Sequence, residues 1–73
     1  MPIATLQIAE GRSEEQKRAL LINVTHAIAE SLDAPVESIR VIIQEIPETQ
    51  WAAGGITLAE RRATRALSDK ANS

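Results

Sequence analysis

From Ile3 to Ile8 apolar and polar positions alternate, with Ala4, Leu6 and Ile8 on one side and Ile3, Thr5 and Gln7 on the other. A period of two is that of a half-buried strand, so the chain is expected to open with one. Gly11 and Arg12 interrupt the pattern, and Ser13-Glu14-Glu15-Gln16 then has the spacing of a capping box, a hydroxyl for the third amide and a glutamine that reaches back. The helix that follows carries Leu20, Val24, Ala27, Ile28, Ser31 and Leu32 at steps of three and four, with Lys17, Asn23 and Glu30 elsewhere on the wheel. Pro35 is expected to end it, because proline has no amide to donate and disfavours helix at the residue before it. The run from Ile39 to Ile46 is rich in β-branched residues and too short for a typical helix, which predicts a second strand. Strand, helix and strand make a βαβ unit of the α/β class. Its strands pair in parallel through a right-handed connection that lays the helix on one face of the sheet.

Beyond Pro47 the pattern predicts a loop that carries Trp51 and closes on Gly54-Gly55, where missing side chains permit a sharp reversal. Thr57-Leu58-Ala59-Glu60 repeats the capping-box spacing, and Leu58, Arg62, Ala63, Ala66 and Leu67 suggest a short C-terminal helix. Ile56 would serve equally in a hairpin strand. Residues 68–73 are polar and are expected to fray.

Composition turns this unit into a question about assembly. The 73 residues suffice for one domain, 1–73, and the two strands have open edges and an uncovered face. Alanine supplies 12 of the 32 apolar residues and Trp51 is the sole aromatic, so little side-chain volume is available for a private core. With no cysteine and one histidine, disulfides and metal are poorly supplied as staples, and self-association is the expectation. The formal net charge of -2 and the scatter of the basic residues, apart from Arg61, Arg62 and Arg65, argue against nucleic acid as a partner. No apolar run approaches the roughly 20 residues of a membrane span, and the first residues lack a signal-peptide layout, so a cytoplasmic protein without membrane partners is expected.

Few side chains offer chemistry by themselves. A metal-ligand cluster and a phosphate-binding glycine pattern are missing from the sequence, and no cofactor is expected. His26 falls among polar helix neighbours and reads as a surface or interface residue, and Ser13 reads as a cap. Glu10, Glu45 and Glu48 are either acids for catalysis or ordinary solvated carboxylates. The C-terminal arginines read as a solvated or intersubunit face. Pro2 differs from all of these. Removal of Met1 would leave a free secondary amine at the tip of the first strand, and such an amine can act as a base.

Pro2-Ile3-Ala4, Glu10-Gly11-Arg12-Ser13-Glu14-Glu15-Gln16-Lys17, Ser31-Leu32-Asp33-Ala34-Pro35, Arg40-Val41-Ile42-Ile43, and Trp51 before Gly54-Gly55 occur in that order. Together they resemble the 4-oxalocrotonate tautomerase (2-hydroxymuconate tautomerase) family, over a stretch from Pro2 to about Leu58. The resemblance implies an isomerase without cofactor or metal, in which Pro2 removes a proton beside a carbonyl and returns it further along a conjugated chain. It implies that Arg12 and Arg40 bind the substrate carboxylate and stabilise the dienolate, and that Trp51, with Ala9 and Ile46, lines the pocket. It also implies a homohexamer, a trimer of dimers, with sites built from more than one subunit.

The chemistry is consistent with those assignments. A secondary amine in water is mostly protonated at neutral pH, and a dry pocket beside two guanidinium groups penalises the cation by lost hydration and by like charge. Arginine, always charged and fork-shaped, also meets carboxylate and enolate oxygens where charge accumulates. Related hydrating dehalogenases have an acid two positions after the aromatic, where this chain has Ala53, so hydration is disfavoured. Ala9 is smaller than the leucine common at its position, which points to a different or bulkier substrate. 2-Hydroxymuconate, an intermediate of aromatic hydrocarbon catabolism, is the small anionic dienol acid the resemblance suggests. Another enol acid such as an arylpyruvate, or a noncatalytic oligomeric module, stays open.

Overall fold

In the computed structural model, which describes residues 1–71, the N-terminal alternation becomes strand β1, Ile3–Ala9, one residue longer than the pattern predicts. Ala4, Leu6 and Ile8 are half-buried, and Ile3, Thr5 and Gln7 are exposed. The chain then turns at Gly11, whose φ of 121° is a backbone state that side chains rarely permit. Ser13 caps helix α1, Glu14–Leu32. Its Oγ accepts from the Gln16 amide at 3.1 Å, and Gln16 Oε1 accepts from the Ser13 amide at 3.0 Å.

The stripe that α1 lays on the sheet is rotated from the expected one. Leu20, Leu21, Val24, Thr25, Ile28 and Ala29 are half-buried, whereas Ala27, Ser31 and Leu32 are exposed. Steps of three and four admit both stripes, and the sheet takes the one in which Leu21, Thr25 and Ala29 are small or apolar enough to pack. The Thr25 hydroxyl donates to the Leu21 carbonyl at 2.7 Å, so its polar group is satisfied inside that face. The helix also stops before Pro35 acts. Asp33 adopts a left-handed conformation, φ 52°, and the amides of Asp33 and Ala34 both donate to the Ala29 carbonyl. Pro35 instead leads a 3₁₀ turn over Val36–Ser38.

Strand β2, Arg40–Ile46, runs parallel to β1 in a register from Ile3 opposite Arg40 to Ala9 opposite Ile46. It starts one residue later than expected because Ile39 closes the 3₁₀ turn, its amide donating to the Val36 carbonyl at 3.2 Å. Ile39 is the one buried apolar residue among those described, at 7% exposure. Both readings of the C-terminal segment are realised. Strands β3, Ala52–Ala53, and β4, Ile56–Thr57, form an antiparallel hairpin across Gly54 and Gly55, whose positive φ values suit a two-residue turn. Helix α2, Leu58–Ala71, follows directly. Thr57 and Glu60 cap it reciprocally, with the Thr57 amide donating to Glu60 Oε1 at 3.0 Å and the Glu60 amide to Thr57 Oγ1 at 3.1 Å. The helix continues past Ser68, from which fraying is expected; residues 72–73 of that tail lie outside the described ones.

A lone chain does not close a core. Its accessible surface is 5702 Å², against about 4,400 Å² for a compact monomer of this mass. Its radius of gyration is 16.9 Å, against about 11 Å for a compact domain of this length. The sheet face away from α1 leaves Ile3 64% and Ile42 49% exposed. No helix among the described residues is long and apolar enough to cross a membrane.

Candidate active site

Parallel pairing sets the beginnings of β1 and β2 side by side, which brings Pro2 to Arg40. The Pro2 carbonyl accepts from the Arg40 amide at 3.0 Å, tying the half-buried proline to the strand that carries the arginine. Arg40 Nη1 donates to the Glu37 carbonyl at 2.8 Å and to the Ile39 carbonyl at 3.5 Å. A guanidinium carries five N–H donors, so these two bonds, both made by Nη1, fix its direction without exhausting it. By strand parity Arg40 shares the uncovered face with Ile42 and Gln44, and Gln44 accepts from the Gln7 side chain at 3.2 Å.

The other expected site residues gather at the opposite end. Ala9 and Ile46 are register partners there, and the Glu10 amide extends the ladder to the Ile46 carbonyl at 3.0 Å. Arg12 is exposed on the turn after β1 and borders two grooves. One, of about 240 Å³, lies against Ile8, Gln16, Lys17 and Leu20; the smaller, of about 70 Å³, against Ala9, Glu10, Gly11 and Arg62. Trp51 follows the 3₁₀ turn Glu48–Gln50 beyond β2 and is 38% exposed. Seven strand residues at about 3.3 Å each separate the two ends by roughly 20 Å, beyond the reach of an arginine side chain. One chain therefore brings Pro2 to Arg40, and Ala9 to Ile46 beside the Arg12 turn, but does not bring the two groups together.

Two of the three candidate acids are held by cations. Glu45 Oε1 lies 2.9 Å from Lys17 Nζ, which also contacts Glu14 at 2.7 Å. Hydrogen bonds first to Glu14 and then to Glu45 hold the lysine above its usual pKa. Glu48 Oε1 lies 2.7 Å from Arg62 Nη1. Glu10 is exposed beside Arg12, His26 is exposed on α1, and Ser13 is occupied as a cap. The C-terminal arginines are not simply solvated: Arg61 Nη2 donates to the Ala53 carbonyl at 3.2 Å, and Arg62 pairs with Glu48. The Thr57–Glu60 box was the signal for these contacts, because a helix started there sets its first turns against the preceding loop.

Residues 2–61 match the Tautomerase family, described as tautomerase enzyme. A 2-hydroxymuconate tautomerase of Pseudomonas putida is 54% identical over 55 residues, which cover 75% of this chain and 87% of that protein. The crystal structure of TomN, a 4-oxalocrotonate tautomerase homologue in the tomaymycin biosynthetic pathway, superposes with a TM-score of 0.83 at 44% identity, over 85% of this chain and 95% of the other. A heterohexamer 4-oxalocrotonate tautomerase from Chloroflexus aurantiacus J-10-fl gives 0.80 at 43% identity, over 82% and 97%. With its parallel βαβ unit, small hairpin and this degree of identity, the chain belongs to the 4-oxalocrotonate tautomerase family of the tautomerase superfamily and is an isomerase.

Proposed function

We propose that this isomerase interconverts the enol and keto forms of an unsaturated 2-hydroxy/2-oxo acid, such as 2-hydroxymuconate and 2-oxo-3-hexenedioate, with the amine of Pro2 as general base once Met1 is removed. The observation that carries the reading is the 3.0 Å bond from the Arg40 amide to the Pro2 carbonyl, which couples the amine-bearing residue to a cationic one. The amine takes a proton at one end of the conjugated system and returns it at another. Arg40 stabilises the oxygen that gains charge between the two steps. Arg12 grips a substrate carboxylate, and Trp51, Ala9 and Ile46 wall the pocket and exclude water. Desolvation and the two guanidinium groups lower the pKa of the amine, so that a useful fraction is unprotonated near neutral pH.

The whole chain, 1–73, acts as one cytoplasmic domain, and copies of it assemble as a homohexamer. The 20 Å gap between the two groups of residues supports this, since association can bring one chain's Pro2 to another chain's Arg12. The heterohexamer of the relative and the uncovered sheet face favour the same assembly. The name of the Pseudomonas putida relative suggests 2-hydroxymuconate as substrate, and with it a place in aromatic hydrocarbon catabolism.

The test is turnover of a dienol acid of the 2-hydroxymuconate type by protein whose N-terminus has been verified by mass. Chains that begin at Pro2 are expected to turn it over. Retention of Met1 makes the nitrogen a peptide amide and lowers turnover by about 10² to 10⁴, with the fold unchanged. Equal turnover with Met1 in place rules out the amine as base.

A further inference from the structure

Helix α2 grips the loop that carries Trp51 at three points. The Leu58 amide donates to the Trp51 carbonyl at 2.7 Å, Arg61 Nη2 donates to the Ala53 carbonyl at 3.2 Å, and Arg62 Nη1 lies 2.7 Å from Glu48 Oε1. The donors lie within the first five residues of the helix, and the acceptors stand before, at and after Trp51. The Thr57–Glu60 box fixes the start of the helix and so the direction from which these groups approach. The Glu48 side chain is 26% exposed and that of Arg62 is 58% exposed, so the ion pair is partly sheltered on the side that faces the loop. Arg62 also borders the small groove formed by Ala9, Glu10, Gly11 and Arg12. The ion pair thus joins the turn after β2 to the first turns of α2, across the groove from the turn after β1.

We propose that Arg62, through its pair with Glu48, is a positioning residue for Trp51, so that α2 braces the loop and presents the indole in one place. Without the brace the hairpin is held by two-residue strands and a glycine turn, a combination with little stability of its own. The kinetic part of this inference rests on the proposal that Trp51 walls the substrate site. An indole that has to be ordered at each binding event costs affinity, while the proton transfer itself is untouched.

Trp51 is the sole tryptophan, and the chain has no tyrosine, so intrinsic fluorescence reports this side chain alone. The experiment uses the full-length assembled enzyme with a verified Pro2 terminus. It compares wild type, Arg62→Ala, Glu48→Gln and the charge-swapped double variant Glu48→Arg/Arg62→Glu. The readouts are Trp51 emission, its quenching by acrylamide, and KM and kcat with a dienol acid. Both single variants are expected to shift the emission and increase the quenching. They should raise KM about 2- to 5-fold, the scale of a partly exposed ion pair, with kcat nearly constant. The swapped pair should restore emission and KM together. Wild-type emission and quenching in both single variants, or a swapped pair no better than either of them, overturns the brace. If emission moves and is restored while KM never changes, the brace stands and the role of Trp51 as a substrate wall falls.

Discussion

Arg12 and Arg40 carry the same guanidinium in different frames, one on an exposed turn after β1 and the other on a strand beside Pro2. Arg40 is directed by bonds to the Glu37 and Ile39 carbonyls and its amide donates to the Pro2 carbonyl, which suits it to an oxygen whose charge changes during the reaction. Arg12 borders grooves roughly 20 Å away along the strands, which suits it to the far carboxylate of a substrate held between copies. Arg12→Ala should therefore act mainly on KM and Arg40→Ala mainly on kcat, each by roughly 30- to 1000-fold for loss of a charge-assisted contact in a dry site. In the proposed assembly, where another copy supplies Arg12, each variant also removes a cation near the amine. A lost cation favours the ammonium form, so the amine titration should move to higher pH in both. Steady-state kinetics against pH with one dienol acid measures these effects together. Unchanged kinetics in both variants would make the arginines ordinary surface residues.

Among the elements, α2 offers the clearest pH signature. The Thr57 amide, and after it the Thr57 hydroxyl, hold the Glu60 carboxylate below its ordinary pKa of 4.5. A depressed carboxylate contributes stability above the unfolded value, and that contribution is lost as pH falls through the folded one. Helix content should thus drop as acid is added below about pH 4.5, near the usual carboxylate range. Glu60→Gln, which keeps an acceptor in the box but cannot titrate, should flatten the acid limb of the circular dichroism signal; an unaltered limb would show that Glu60 does not set it. The two boxes were legible in the chain because Ser13 with Gln16, and Thr57 with Glu60, are complete within four residues. So was the parallel βαβ unit, whose periods need no long-range information. The left-handed stop at Asp33 was not, because an aspartate before Ala-Pro has no distinctive pattern and Pro35 gives the louder signal. Nor was the packed stripe of α1, where Leu20 and Leu21, or Ile28 and Ala29, compete until the sheet chooses between them. The candidate site residues came from Met1-Pro2 and the family resemblance, but their division between opposite ends of the strands needed the register.

At the scale of the whole molecule, the uncovered apolar face and the divided site have one origin. A two-stranded sheet with a helix on one side leaves Ile3 and Ile42 to water and separates Pro2 and Arg40 from Ala9, Ile46 and the Arg12 turn. In the proposed homohexamer, association that covers the first joins the second, which would make catalysis and assembly a single property. Two inactive variants with complementary defects test this. One chain keeps Met1 and therefore lacks the amine; the other begins at Pro2 and carries Arg12→Ala. After joint unfolding and refolding, a site that draws Pro2 and Arg12 from different copies regains both in roughly a quarter of its occurrences, as random mixing in a symmetric assembly requires. Turnover well above the sum of the two separate variants is the expected result, and turnover no greater than that sum would contradict a site shared between chains.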